Sequence, residues 1–267
     1  MHFTYIKMHS SRNSILIKIK KWYNFITKQE VKIMPEVFGP EHLTYIIVST
    51  IIGASVLLLS FLFIKNEKGR VIVLKILAGL LLISILTNRL SQVFRYETVR
   101  WYCIIPDSFC GMTSLVLSLG VLFGKKDNVI LHFGWLLGLF GGISTVIYAT
   151  FVGQAPSIFY IPTISGLLHH SFSAMLVVAV LMFGYMKITY KKWYCTLFGL
   201  TCYMTLGAFL MQAFNLSDAF HIAEPLISGT PLTAWVMAPM YAVGYALIVG
   251  IIEIARKYKN IKMKKTN

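Results

Sequence analysis

Seven apolar segments constrain what this chain can fold into, because each is long enough to cross a lipid bilayer. A helix that rises about 1.5 Å per residue needs about 20 residues to span the roughly 30 Å of hydrocarbon. The segments lie at about 43–64, 71–88, 103–124, 129–152, 161–186, 194–214 and 235–255. Lipid offers the backbone no hydrogen bonds, so each segment is expected to be helical. The sequence therefore predicts an all-α, polytopic membrane helix bundle of about seven transmembrane helices.

The composition supports a membrane protein and argues against other classes. Of the 267 residues, 57% are hydrophobic and 13% are charged, which is more apolar surface than a soluble domain of this length can bury. The net charge of +15 does not indicate nucleic-acid binding, because the cations lie mainly at the ends of the chain and in short loops. The four cysteines form neither a CxxC motif nor a zinc spacing. We therefore expect no disulfide framework, no metal site and no cofactor.

The distribution of lysine and arginine predicts the orientation in the membrane. The first, third and fifth loops and the C-terminal tail carry 14 of these residues, whereas the second loop carries only Arg89, Arg95 and Arg100. By the positive-inside rule, the N-terminus of the bundle lies outside and the C-terminus is cytoplasmic. We expect a seven-helix transmembrane domain over residues 34–256 and a basic cytoplasmic tail over 257–267. The expected location is the plasma membrane of a bacterium.

Residues 1–33 disagree with this orientation, because their seven lysines and arginines would lie outside. Two interpretations remain open. The segment is a basic amphipathic extension that lies on the membrane surface, or it is an artefact of an upstream start and translation begins at Met34. We favour the start at Met34.

Two adjacent histidines, His169 and His170, interrupt an apolar run that continues to Met186 without a charge. An imidazole in hydrocarbon is energetically unfavourable unless it is paired or used, so the pair is a candidate functional site. The alternative is that both rings are bonded to neighbouring backbone or hydroxyl groups and serve packing alone.

Other polar residues are expected at the same outer depth as the histidine pair. Cys110 is a candidate nucleophile, because a thiolate assisted by a histidine can attack an ester and form an acyl-enzyme. Asp107, Ser108 and His42 are candidates for supporting that pair. Each residue also has a structural interpretation: Cys110 as a small buried hydrophobe, Asp107 as a helix cap and His42 as an interfacial residue.

The fourth predicted span carries small residues at a spacing that favours close helix packing. Gly134, Gly138 and Gly142 recur every four residues, which lets a neighbouring helix approach. The same spacing would also leave room for a lipid chain in a groove.

Several motifs, taken in order over residues 38–255, resemble the YwaF / transmembrane protein 164 family. They are Phe38-Gly39-Pro40-Glu41-His42-Leu43, Pro106-Asp107-Ser108-Phe109-Cys110-Gly111-Met112-Thr113-Ser114-Leu115, the segment from His132-Phe133 to Gly141-Gly142, Leu167-Leu168-His169-His170, Asn215, and Pro239-Met240-Tyr241. An animal member of this family is regarded as a lipid acyltransferase.

The resemblance implies a lipid acyltransferase that acts on membrane phospholipids or acyl chains. The predicted orientation would place its site near the outer leaflet. Its nucleophile would be Cys110, and its catalytic histidine would be His170, with His169 as the alternative. Family members commonly carry a histidine beside this cysteine, whereas Ser108 and Gly111 stand at those positions here. The histidine pair or His42 would then supply the base. The competing interpretations are a small transporter or channel and a non-enzymatic sensor or accessory protein. The sequence does not predict an oligomeric state.

Overall fold

A computed structural model describes residues 35–95 and 98–266, with side chains described as far as Tyr258. Within these residues the chain forms seven α-helices and no strand. In chain order they are α1 Pro40–Phe63, α2 Glu67–Val93, α3 Phe109–Leu122, α4 Val129–Ile147, α5 Ile161–Met182, α6 Trp193–Phe214 and α7 Ala234–Thr266. The all-α prediction is confirmed for the described chain. Residues 1–33 and the proposed start at Met34 lie outside it.

Six of the seven helices are long and apolar enough to cross a membrane, and the exception is α3. With 14 residues, α3 rises about 21 Å, less than the hydrocarbon thickness. The sequence predicts a longer span at 103–124, but the chain forms a 3₁₀ turn at Trp101–Ile104 and passes Pro106 before α3 begins. The described part of the chain is thus that of a multi-pass membrane protein with six candidate spanning helices.

Local chemistry explains where the helices begin. Asn66, Ser108 and Asn128 precede α2, α3 and α4, and each side chain accepts a hydrogen bond from a backbone N–H in the first turn of its helix. Pro40 and Pro162 lie in the first turns of α1 and α5, where a missing N–H costs no hydrogen bond. The last helix, α7, does not end where the basic tail is predicted to start, at residue 257, and continues as far as Thr266.

The centre of the bundle is formed by α2, α4 and α5. Helix α5 packs along both α2 and α4, helix α3 contacts the same two helices, and α6 packs against α4. Helices α1 and α7 are peripheral, since only 11% of the most apolar 18-residue stretch of each helix is buried within the protein. Their remaining apolar faces are available to lipid.

The glycines of α4 permit the close packing that their spacing predicts. A Cβ at Gly138 would lie 2.5 Å from Cδ1 of Leu117 on α3. A Cβ at Gly142 would lie 2.7 Å from the backbone carbonyl oxygen of His170 on α5. These positions therefore bring α3 and α5 against the same glycine-bearing face of α4 and position the histidine pair.

Candidate functional site

A polar cavity of about 210 Å³ lies at one end of the bundle, among α2, α3, α5 and the segment that follows α4. It brings together Arg89 near the end of α2, Arg95 just beyond it, and His169 and His170 of α5. We call it the arginine–histidine cavity after these four residues. None of the described residues that line it is acidic. The cavity therefore combines two guanidinium groups with two imidazoles.

The two histidines lie against each other and are almost fully buried. Their ring centroids are 4.1 Å apart with a tilt of 34°, and the residues are only 5% and 7% exposed. Nδ1 of His169 is hydrogen-bonded to Oγ of Ser114 on α3 at 3.2 Å. The structure thus bonds the histidine pair to α3 and places Arg89 in the wall of the same cavity.

Arg89 is fixed by a network of polar contacts. Its Nη1 lies 3.0 Å from Oδ1 of Asp107, and its Nε and Nη2 donate to Oδ1 of Asn88 at 3.3 and 3.1 Å. Asn88 in turn donates to the carbonyl oxygen of Pro162 at 2.9 Å. Asp107, a predicted support for the catalytic pair, therefore contacts an arginine, while Ser108 caps α3 and also lines the cavity.

Cys110 opens onto a different cavity from the one that the histidines line. This apolar cavity of about 250 Å³ is formed by α3, α4 and α7 and includes Phe140, Gly141 and Tyr241; we call it the thiol cavity. The Cys110 thiol lies beside the Thr145 hydroxyl, and a Cβ at Gly141 would be 2.9 Å from its sulfur. The structure does not place Cys110 among the residues that line the arginine–histidine cavity.

His42 is fully buried at a third location. The backbone N–H of Phe38 donates to its Nδ1 at 3.1 Å, and its Nε2 contacts the carbonyl oxygen of Val146 at 2.9 Å. Since Nδ1 accepts, Nε2 carries the proton and donates. Both ring nitrogens are therefore engaged in joining the start of α1 to the end of α4.

No family model matches this chain, and no curated protein or solved structure matches it. The resemblance to the YwaF / transmembrane protein 164 family accordingly stays a prediction. The chemistry of the site has to be inferred from its own geometry.

The sequence did not reveal Ser114 or the role of the two arginines. In the sequence, Arg89 and Arg95 stand out only as loop charges. The spacing of three or four residues along this segment nevertheless places four polar side chains on one side of the end of α2: Asn88, Arg89, Gln92 and Arg95. That spacing, together with an arginine at the end of an apolar segment, was the available signal. Ser114 carried none, because a serine in an apolar helix ordinarily bonds to its own backbone.

Proposed function

We propose that this multi-pass membrane protein is a lipid acyltransferase that works near the outer leaflet, with Cys110 as the acyl carrier and the histidine pair as the base. The observation that carries the proposal is the first turn of α3, whose residues line two cavities of opposite character. Ser108 and Gly111 line the arginine–histidine cavity, and Phe109 and Cys110 line the thiol cavity. A phospholipid has the same division between a polar headgroup and an apolar chain.

The reaction uses only groups at this turn of α3 and its neighbours. An imidazole of the pair takes the proton of the Cys110 thiol, and the thiolate attacks the carbonyl carbon of a lipid ester. A C–S bond forms as the ester C–O bond breaks, and the departing lysolipid oxygen receives the proton. A hydroxyl of the acceptor then attacks the thioester and releases the thiol. Rotation about the Cα–Cβ bond of Cys110 is the motion that redirects its sulfur from Thr145.

The position of the polar groups favours this function over a transport path. The described lining residues of the arginine–histidine cavity come from the end of α2, the start of α3, the segment after α4 and the start of α5. They therefore cluster at one end of the bundle, whereas a pore requires polar groups through its full depth. The thiol cavity beside them is almost entirely apolar and suits an acyl chain.

We also propose the finer topology, the location and the family. In this proposal α3 is a seventh crossing, the N-terminus of the bundle is outside and the C-terminus is cytoplasmic, as in a bacterial plasma-membrane protein. Membership of the YwaF / transmembrane protein 164 family is part of the same proposal and is supported by the motifs around Cys110 and His170.

Acyl transfer in reconstituted vesicles tests the function. The purified protein is supplied with a phospholipid that carries a labelled acyl chain and with an unlabelled lysolipid, and the label is followed by thin-layer chromatography. We expect transfer that falls to background in Cys110→Ser, and a labelled protein adduct that hydroxylamine releases, as a thioester requires. Full transfer by Cys110→Ser would refute the thiol mechanism. Solute flux without any acyl transfer would favour a transporter.

Cys103→Ser is the matched control for this experiment. Cys103 lies in the 3₁₀ turn that precedes α3. It lines neither the arginine–histidine cavity nor the thiol cavity, so its thiol is not placed for acyl transfer. We therefore expect Cys103→Ser to transfer the label as the unmodified protein does.

A further inference from the structure

The charges around the arginine–histidine cavity are unbalanced. Arg89 and Arg95 lie in its wall, and no described residue that lines it carries a carboxylate. Asp107 contacts Nη1 of Arg89, and its side chain is 51% exposed. It therefore lies at the rim of the cavity and offsets the charge of only one of the two arginines. A partly enclosed site with an excess cation attracts an anion, and the low polarity of the surrounding bundle strengthens that attraction.

The guanidinium of Arg89 is held in a fixed orientation for such an anion. Three of its nitrogens contact Asp107 and Asn88, and Asn88 is anchored to α5 through Pro162. A guanidinium carries five N–H donors in one plane, so donors remain for a ligand after these contacts. Because the group is already positioned, less side-chain entropy is lost when an oxyanion binds.

Arg95 complements Arg89 from the chain just beyond α2. Its Nη1 approaches Oε1 of Gln92 at 3.4 Å, which is a weak contact that a ligand can replace. The two arginines and the almost fully buried His170, which has no side-chain hydrogen-bond partner among the described residues, border the same space. Together they provide separate donors for the oxygens of a tetrahedral group.

We propose that the arginine–histidine cavity binds the phosphate of an anionic phosphodiester headgroup that carries hydroxyls, such as that of a phosphatidylglycerol. Guanidinium groups match phosphate oxygens in geometry and charge. The amides of Gln92 and Gln154 and the hydroxyls of Thr163 and Tyr160 line the same cavity and suit the hydroxyls of a polyol.

The same lining disfavours headgroups that end in an amine. Proteins commonly bind an ammonium with a carboxylate or with a cage of aromatic rings, and the carboxylate that contacts the cavity wall, Asp107, is already paired with Arg89. Choline and ethanolamine headgroups would bring a second cation next to Arg95. The proposal therefore names a preference among phospholipids that acyl-transfer chemistry alone does not supply.

The choice of a lipid as the source of the phosphate rests on the proposed function, so the test measures binding instead of acyl transfer. The full protein in detergent is titrated with short-chain phosphatidylglycerol, phosphatidylcholine, glycerol 3-phosphate and inorganic phosphate, and binding is followed by microscale thermophoresis. We expect phosphatidylglycerol to bind about tenfold or more tightly than phosphatidylcholine. Equal affinity for the two lipids would overturn the proposal.

Single substitutions connect the binding to the cavity. We expect Arg95→Gln, which alters an exposed side chain, and Arg89→Gln to weaken phosphatidylglycerol binding by about tenfold or more. Lys126→Gln removes a cation whose partner is Glu67 outside the cavity, and it should leave the affinity unchanged. If Arg95→Gln and a folded Arg89→Gln both bind phosphatidylglycerol with the affinity of the unmodified protein, the proposal is wrong.

The two soluble anions identify the source of the phosphate. Competition between glycerol 3-phosphate and the lipid supports a site that also takes a free phosphate ester, whereas lipid binding without competition supports a site specific to the headgroup of an intact lipid. If phosphatidylglycerol binds as expected but no acyl transfer is found, the phosphate site stands and the proposed function fails. If acyl transfer occurs and both arginine variants bind the lipid normally, the function stands and the phosphate site fails.

Discussion

At the residue scale, the hydrogen bond between Ser114 and His169 distinguishes the two histidines. His169 is bonded through Nδ1, whereas His170 has no side-chain hydrogen-bond partner among the described residues. A serine hydroxyl can donate to Nδ1 or accept from it, and in either case the bond holds the imidazole ring of His169 in one orientation. The resemblance implies His170 as the catalytic histidine, with His169 as the alternative. The contacts make His169 the ring that the protein orients, and they identify Ser114 as a positioning residue.

We therefore expect Ser114→Ala to reduce acyl transfer about two- to tenfold, which corresponds to the loss of one hydrogen bond. Ser114 is 1% exposed, so the substitution removes its hydrogen bond to His169 and alters no surface contact. Ser118, a fully buried serine one turn further along α3, bonds to the carbonyl oxygen of Leu115 and provides the matched control Ser118→Ala. The readouts are the transfer rate and the ¹⁵N shifts of the His169 ring. An unchanged transfer rate together with unchanged His169 ring shifts in Ser114→Ala would contradict this role.

At the element scale, α3 illustrates what hydropathy can and cannot predict. Apolar composition placed a span at 103–124, and the helix at Phe109–Leu122 lies within it. The start of α3 depends on Pro106 and on the Ser108 cap. A hydropathy average over many residues does not register such single-residue signals. The pairing of helices was equally invisible, because it follows from which faces fit together. Cys110 and the histidines were thus predicted at one depth, but the structure opens them onto separate cavities.

The close contact between α4 and α5 can be tested at Gly142. In Gly142→Ala the new methyl group would lie 2.7 Å from the carbonyl oxygen of His170 and 3.1 Å from Cβ of Ala174. A backbone carbonyl cannot rotate away, so the two helices must separate, at a cost of about 1–3 kcal/mol. We expect a lower midpoint of thermal unfolding in detergent and weaker acyl transfer. Gly79→Ala on α2 meets nothing within 4 Å and should be neutral or slightly stabilising. Equal midpoints for the two variants would contradict the packing argument.

At the scale of the whole molecule, contacts at the two ends of the bundle support α3 as a crossing despite its length. At one end, Asp107 before α3 pairs with Arg89 near the end of α2. At the other end, Lys126 after α3 pairs with Glu67 at the start of α2 at 2.8 Å. Asp127 joins this second end to the loop after α5, because its N–H donates to Tyr185 and its carboxylate accepts from the N–H of Lys187. Helix α3 and its flanking residues therefore run the length of α2 in the opposite direction.

This arrangement makes the orientation testable with an impermeant maleimide. In a background in which the four native cysteines are replaced, Thr98→Cys reports the segment before α3 and Lys126→Cys the segment after it. Since the positive-inside rule places the lysine-rich loops in the cytoplasm, we expect intact cells to label Thr98→Cys and to label Lys126→Cys only after permeabilisation. Glu224→Cys, in the exposed segment between α6 and α7, should react from outside and serves as the reference. If residues 98 and 126 react from the same side, α3 does not cross, and the arginine–histidine cavity and the Asp127 contacts cannot lie at opposite faces of the membrane.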